Sequence, residues 1–295
     1  MRIFLTGATG FVGARVLAEL TGAGHRVLGL ARSPSGVRAL LAAGVEPVPG
    51  DIEDLDGLHR AAADCDAVIH TAFDHDFTRY AANCAKDARA IAALGGAVRG
   101  SGGLLLITSV TPVGTLAAGQ PAIETAFDAH HPLPRIASEL AGQAAAAAGA
   151  RVAVVRLSQI HDTRRQGLVS ELVALARRTG VSAYVGDGAN RWSAAHVADT
   201  ARLYRLALEH GEPGSRFHAV AEEGVPVRAI AEAIARRIGV PVAALPPDRA
   251  GAHFGWLAAF AGRDMSARSD ATQARLGWRP EGRGLLADID ALEDG

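Results

Sequence analysis

The chain opens MRIFLTGATGFVGARVL, and no other stretch constrains its fold as tightly. Ile3, Phe4 and Leu5 form an apolar run that breaks on Gly7, Gly10 and Gly13, after which an amphipathic helical pattern begins. A strand that turns on spaced glycines into a helix presents bare backbone at a helix N-terminus. Glycine there lets the main chain turn tightly and approach a ligand closely, while the free N–H groups and positive dipole end of the helix attract an anion. An ordinary glycine-rich turn could show the same spacing. The setting between a clear strand and a clear helix is the one a dinucleotide fingerprint requires. The stretch is read as a dinucleotide cradle formed by Gly7, Thr9, Gly10, Phe11, Val12 and Gly13.

The rest of the first half repeats the strand-then-helix alternation. RIFLT, HRVLGLA, VEPVPGD, DAVIHTAF, GGLLLITS and RVAVVRLS are β-rich, and helical patterns separate them, including a long one over about 76–99 and another over about 134–148. Near-continuous apolar strands alternating with helices give a parallel sheet covered on both faces, a doubly wound α/β fold of the Rossmann kind. The rhythm changes after Ser158. We expect a dinucleotide-binding domain over 1–160 and a smaller substrate lobe over 161–295, with one strand, about 215–221, returning to the main sheet.

Composition narrows the partners. At 295 residues with a formal net charge of −1, the chain gives no electrostatic reason to expect nucleic acid or an anionic membrane. No apolar run approaches the roughly 20 residues of a membrane-spanning helix. Cys65 and Cys84 make no disulfide framework, and no signal-peptide pattern is present, so a reducing cytoplasm is the expected compartment. Lys86 is the only lysine among abundant arginines, a bias that weakens any single arginine as a signal.

The end of the second strand bears on the cofactor. An acidic residue there would hold the adenosine ribose 2′-hydroxyl, whereas this chain has Arg32 and Ser33. A guanidinium beside a hydroxyl suits a 2′-phosphate, so NADP(H) is preferred and NAD(H) is the alternative.

TGATGFVG resembles the Thr-Gly-x-x-Gly-x-x-Gly of the short-chain dehydrogenase/reductase superfamily, in its extended branch of NAD(P)-dependent epimerases, dehydratases and reductases. PGDIEDLDGL is similar to that branch's adenine-binding turn, which implies Asp51 and Ile52 against the base. DAVIHTAF resembles the fourth strand, whose end passes beneath the cofactor and carries over Thr71, Ala72 and Phe73. LLLITSVTPVG and VVRLSQIHD resemble the fifth and sixth strands, which implies cofactor contacts from Thr108, Leu157 and Ser158. GDGANRWSAAHVADT is like a substrate-lobe segment of the branch.

The catalytic pattern departs from the family. Its Tyr-x-x-x-Lys pair cannot be present, because Lys86 has Ala82 four residues earlier. Counting along the helix after the fifth strand places the pair at Arg135 and Glu139, and gapless matching places the family's serine at Val110, flanked by Ser109 and Thr111. Candidate catalytic groups are therefore His161, Ser109 and Arg135, with His161 the leading proton donor because an imidazole titrates near working pH. A loop histidine held by hydrogen bonds is the competing reading. Tyr184 and Trp192 are candidate lining of a substrate cleft, or simple packing.

His70, Asp74, His75 and Asp76 are better read as a strand end and a helix start than as a metal site, so no metal is expected. Ser109, His161 and Asp162 lack a nucleophile elbow and are not read as a hydrolase triad. The reading is an NADPH-dependent oxidoreductase that reduces a small carbonyl, imine or activated double bond. Its rivals are an NAD(P)-dependent epimerase or dehydratase, and a non-catalytic NADP(H)-sensing regulator. A homodimer is expected through the alanine-rich helix PRIASELAGQAAAAAGA and the long helix before the fifth strand.

Overall fold

A computed structural model describes residues 1–293; Asp294 and Gly295, the end of the expected lobe, lie outside the described residues. The first half is a run of strands and crossover helices: β1 (Arg2–Thr6), α1 (Phe11–Gly22), β2 (Arg26–Ala31), α2 (Pro34–Ala42), β3 (Glu46–Pro49), α3 (Leu55–Ala63), β4 (Ala67–His70), α4 (Tyr80–Val98), β5 (Leu104–Val110), α5 (Ile136–Ala147) and β6 (Arg151–Leu157). The expected 76–99 helix divides into a short 3-10 turn at Phe77–Arg79 followed by α4. Asp76 caps that turn by accepting from the Thr78 amide.

Beyond β6 come β7 (Gln159–His161), α6 (Leu168–Thr179), β8 (Ser182–Val185), β9 (Arg191–His196), α7 (Val197–His210) and β10 (Arg216–Ala219). The chain ends with β11 (Glu222–Pro226), α8 (Val227–Ile238), β12 (Val242–Leu245), α9 (Pro247–Phe254), α10 (Ala258–Ala261), α11 (Asp270–Leu276) and α12 (Leu285–Asp290).

The main sheet has seven strands in the order β10-β6-β5-β4-β1-β2-β3, every neighbouring pair parallel. This is the expected doubly wound α/β architecture. Apolar residues of the strands point alternately to two cores. Leu5, Ile69 and Leu106 pack against α1 and α7 through Val16, Leu20, Leu203 and Tyr204. Phe4, Val68 and Leu105 pack against α3, α4 and α5. Strand β10 lies beside β6 at the sheet edge, with Phe217 opposite Val155.

The remaining strands form two small sheets, β11-β9-β7 and β12-β8. They cover a third core that includes Val169, Leu172, Trp192, Ile230 and Ile289. Among the described residues, no helix is long and apolar enough to cross a membrane.

Candidate active site

The glycines at the end of β1 have three different tasks. Gly7 has φ +70°, and a Cβ on it would come within 2.7 Å of the Ala72 nitrogen and the Thr71 Oγ1. A Cβ on Gly13 would lie 2.0 Å from the Gly7 oxygen, so that glycine is what lets α1 sit against the turn. A Cβ on Gly10 would meet only the Gly7 oxygen, at 3.2 Å. The outer side of the cradle is open there, with Thr9 and Gly10 exposed. No side chain caps α1 and its first turn holds no acidic residue, so nothing competes with a bound anion for its N-terminus. The residues present fit a dinucleotide pyrophosphate.

The structure brings further expected cofactor residues to this turn. Thr71 Oγ1 donates to the Thr6 carbonyl at 2.7 Å, and the Ala72 amide donates to Thr6 Oγ1 at 3.3 Å, laying segment 71–73 across the end of β1. Ser33 caps α2 by accepting from the Gly36 amide at 3.1 Å. Cβ on Gly36 would lie 3.5 Å from the Thr9 Cγ2, so the glycine turn and the start of α2 are neighbours. Arg32 beside them is exposed. Asp51 accepts from the Glu53 amide at 3.0 Å, and Ile52 packs against the α3–α5 core. Two expected contacts have their hydroxyls engaged elsewhere. Thr108 Oγ1 donates to the His70 carbonyl and meets the Tyr204 hydroxyl at 2.6 Å, while Ser158 Oγ donates to the Ala219 carbonyl next to half-buried Leu157.

At the positions counted for the missing tyrosine and lysine, the structure has two buried ion-pair networks. Arg135, 4% exposed, places Nη1 2.7 Å from Asp87 Oδ2 and 2.8 Å from Ser138 Oγ, and its Nη2 donates to the Thr108 carbonyl. Its guanidinium carbon lies 4.0 Å from the centre of the Phe73 ring. Asp87 also meets His70 Nε2 at 3.1 Å, and His70 Nδ1 meets Thr6 Oγ1 at 2.7 Å. With Thr6 accepting from Ala72, the pattern assigns its hydroxyl proton to His70 Nδ1 and the imidazole proton to Nε2. Burial disfavours the Asp87 carboxylate most, but Arg135 and His70 outweigh it and hold the group below the ordinary carboxylate value.

Glu139 receives Arg156 bidentately, at 2.7 and 2.9 Å, and Arg216 at 2.9 Å. Here too burial is the largest influence and the two arginines outweigh it, lowering the carboxyl pKa. Both Arg135 and Glu139 are therefore committed inside the fold. Ser109 differs: its Oγ is buried at the end of β5 with no hydrogen-bond partner.

The expected proton donor is placed elsewhere. Alternation along β7 sends Ile160 into the core beneath the sheet and turns His161 toward α12. Its Nδ1 lies 2.7 Å from Asp288 Oδ2, its ring is 5.8 Å from that of His196, and its side chain is 1% exposed. Burial lowers its pKa more than Asp288 raises it. This buried, neutral imidazole faces α12 and His196, and its Nε2, like Ser109 Oγ, has no hydrogen-bond partner among the described residues. Trp192 is likewise core: fully buried, with Nε1 donating to the Arg263 carbonyl. Tyr184 is 9% exposed and packs in the same lobe core. Asp162 lies 3.7 Å from Arg15 of α1, which brings the loop after β7 over the cradle's helix.

Sequence reasoning missed an aromatic wall. Phe73 and Tyr80 meet edge-on at 6.2 Å, and Phe77 stacks on Trp256 at 4.7 Å with 6° between the planes. Phe260 lies 6.4 Å from both Phe77 and Tyr80. The spacings 77/80 and 256/260 are helical and could have suggested two apolar faces, but nothing local says that they meet.

Comparison with known proteins agrees with this arrangement. The chain is 43% identical over 290 residues to an uncharacterized protein of Schizosaccharomyces pombe, covering 98% of each. It is 29% identical to a 4-hydroxy-2-methyl-3-oxo-4-farnesyl-3,4-dihydroquinoline-1-oxide ketoreductase of Stigmatella aurantiaca, over 77% of this chain and 70% of that one. The fold matches a dTDP-glucose 4,6-dehydratase of Streptomyces venezuelae solved with NAD bound, with a TM-score of 0.77 at 22% identity over 99% of this chain and 96% of that one. Residues 3–220 match the NAD dependent epimerase/dehydratase family. With its seven-stranded parallel sheet and open glycine cradle, the chain belongs to that family of NAD(P)-dependent enzymes.

Proposed function

We propose that the protein is an NADPH-dependent reductase of a small carbonyl compound, imine or activated double bond. One observation carries the reading: the cradle is open while Arg135 and Glu139, at the positions of the family's proton-transfer pair, are closed into buried ion pairs. Epimerisation and dehydration in the resembled family rely on that pair. Reduction needs chiefly orientation of an electrophilic carbon, which a shaped pocket provides. The bound cofactor would supply the hydride. The chain's own part is to hold the pyrophosphate at Gly7–Gly13, to receive the 2′-phosphate on Arg32 and the capped start of α2, and to orient the substrate oxygen. Ser109 Oγ, buried without a partner, is suited to donate a hydrogen bond to that oxygen, with the proton drawn from solvent. A ketoreductase stands among the relatives beside a UDP-glucose 4-epimerase of the same identity, so it is the closed pair and not the relatives that favours reduction.

The test is a screen of carbonyl, imine and enone compounds with NADPH, followed by cofactor absorbance. Turnover of any one, faster with NADPH than with NADH, is the expected result. Tight NADPH binding with no turnover across the screen would favour the cofactor-sensing reading instead. We also infer a homodimer through α4 and α5, whose outer face includes the exposed Leu140; light scattering that shows a monomer at working concentration would overturn it.

A further inference from the structure

Resting on the reductase reading, we propose that the substrate is a flat, uncharged aryl or conjugated ketone, held against the wall of Phe73, Phe77 and Tyr80 and roofed by Trp256 and Phe260. Four observations lead there. First, the wall begins in the cofactor loop itself: Phe73 follows the Thr71–Ala72 segment that hydrogen-bonds the end of β1, and ligands of such sheets sit beyond the carboxyl ends of the strands. Second, Phe73, Phe77 and Tyr80 stand apart from the packed cores of the main sheet, Trp256 and Phe260 rest on the edge of the lobe core, and all five rings are only half-buried. Third, the cation stacked on Phe73, Arg135, is neutralised by Asp87 at 2.7 Å, so this contact leaves no unpaired charge for a diphosphate or carboxylate.

The fourth observation is the contact between the two walls. Phe77 and Trp256 lie face to face, 6° from parallel. Phe77 stands on a three-residue 3-10 turn, and Trp256 on a short segment bracketed by Gly255 and Gly262. Gly255 has φ +56° and ψ −128°, a conformation side chains other than glycine avoid, and a Cβ there would meet nothing within 4 Å. Short elements of this kind have few interactions to hold them in one place. A parallel ring pair that separates offers two flat faces, and a planar ligand replaces each lost ring contact with an equivalent one. A puckered ligand of the same size cannot.

The test measures binding, apart from turnover. Calorimetry on the protein saturated with NADP+ would compare 2-acetonaphthone, its fully saturated decalin analogue and UDP-glucose, in wild type, Trp256→Leu and Phe77→Leu. Wild type should bind 2-acetonaphthone about fivefold to tenfold more tightly than the decalin ketone, the scale of an aromatic pair beyond its area. Both variants should lose that preference while holding the decalin ketone within about twofold of wild type and keeping their melting temperature. Equal wild-type affinities for the two ketones, a preference retained in both variants, or UDP-glucose binding tighter than either ketone would each overturn the proposal. NADPH oxidation is followed separately: a bound aryl ketone that is never reduced, with no turnover across the wider screen, would overturn the reductase reading and leave the binding preference standing.

Discussion

Two regions at the same edge of the sheet have been treated in opposite ways. The cradle after β1 is built from backbone: three glycines, a helix N-terminus without a cap, and an open outer side. The corner after β5, where α5 begins, is built from charge and is closed, with Arg135 on Asp87 and Glu139 on Arg156 and Arg216. A Thr6–His70–Asp87 chain of hydrogen bonds joins the two. The contrast separates what can be lost from what cannot. On our reading the cradle keeps geometry that suits a cofactor, while the positions counted for the proton-transfer pair hold buried ion pairs.

The sharpest way to break this contrast is to fill the cradle. Gly13→Ala forces a methyl to within 2.0 Å of the Gly7 oxygen, and should both lower the melting temperature and weaken NADPH binding by more than about 100-fold. Gly10→Val, whose Cβ would meet only the Gly7 oxygen at 3.2 Å, should abolish binding with a much smaller loss of stability than Gly13→Ala; calorimetry beside a thermal melt separates the two. If Gly10→Val bound NADPH normally, the cradle assignment would fail.

Next in size is the closed corner. Asp87→Ala leaves Arg135 buried without its partner, a loss of about 3–5 kcal/mol by denaturant unfolding. Asp87→Leu combined with Arg135→Met should recover part of it, since a buried pair replaced by packed apolar groups is often neutral, but His70 Nε2 and the Ser138 hydroxyl also lose their acceptor. A single variant with unchanged stability would show that the network contributes nothing.

How much of this the sequence disclosed differs between the regions for the same reason. Gly7, Gly10 and Gly13, the apolar strands and the crossover helices are local signals, each readable within a dozen residues. Arg135–Asp87 and Glu139–Arg156 join α5 to α4 and to β6, and no spacing announces such pairs. The abundance of arginine hid them further. The surroundings of His161 are not legible locally, because one residue of alternation on β7 decides whether it faces the sheet or α12. For Trp192 the sequence leaves cleft lining and packing both open, since its polar neighbours give no hint of the core behind them.

Cofactor choice sharpens the account of the cradle. Arg32→Ala should weaken NADPH by about 1.5–3 kcal/mol, the worth of a charged hydrogen bond to phosphate, and leave NADH nearly unaffected. Equal losses for both would remove Arg32 from the 2′-phosphate.

A similar or smaller effect is set by pH. His218, next to Arg156, donates from Nδ1 to the Arg268 carbonyl, and burial first and Arg156 second push its pKa down to about 3. The unfolded chain takes up the proton below the ordinary histidine value and the folded one does not, so stability is full above that value and falls as pH drops toward 3. Between pH 7 and pH 5 the loss should be about 2 kcal/mol, above the range where carboxylates titrate. His161, also shifted down, adds in the same direction. A urea midpoint constant over that interval would contradict the buried, neutral His218.

The central claim is that the residue at the old tyrosine position no longer takes part in the chemistry. The Asp87→Leu/Arg135→Met protein decides it, measured by stopped-flow NADPH fluorescence in a single turnover of an accepted ketone. The account predicts a hydride-transfer rate within about threefold of wild type, because Arg135 only holds Phe73 and α5 in place. A fall of about 100-fold or more with NADPH affinity unchanged, the size expected for a lost transition-state contact, would contradict it.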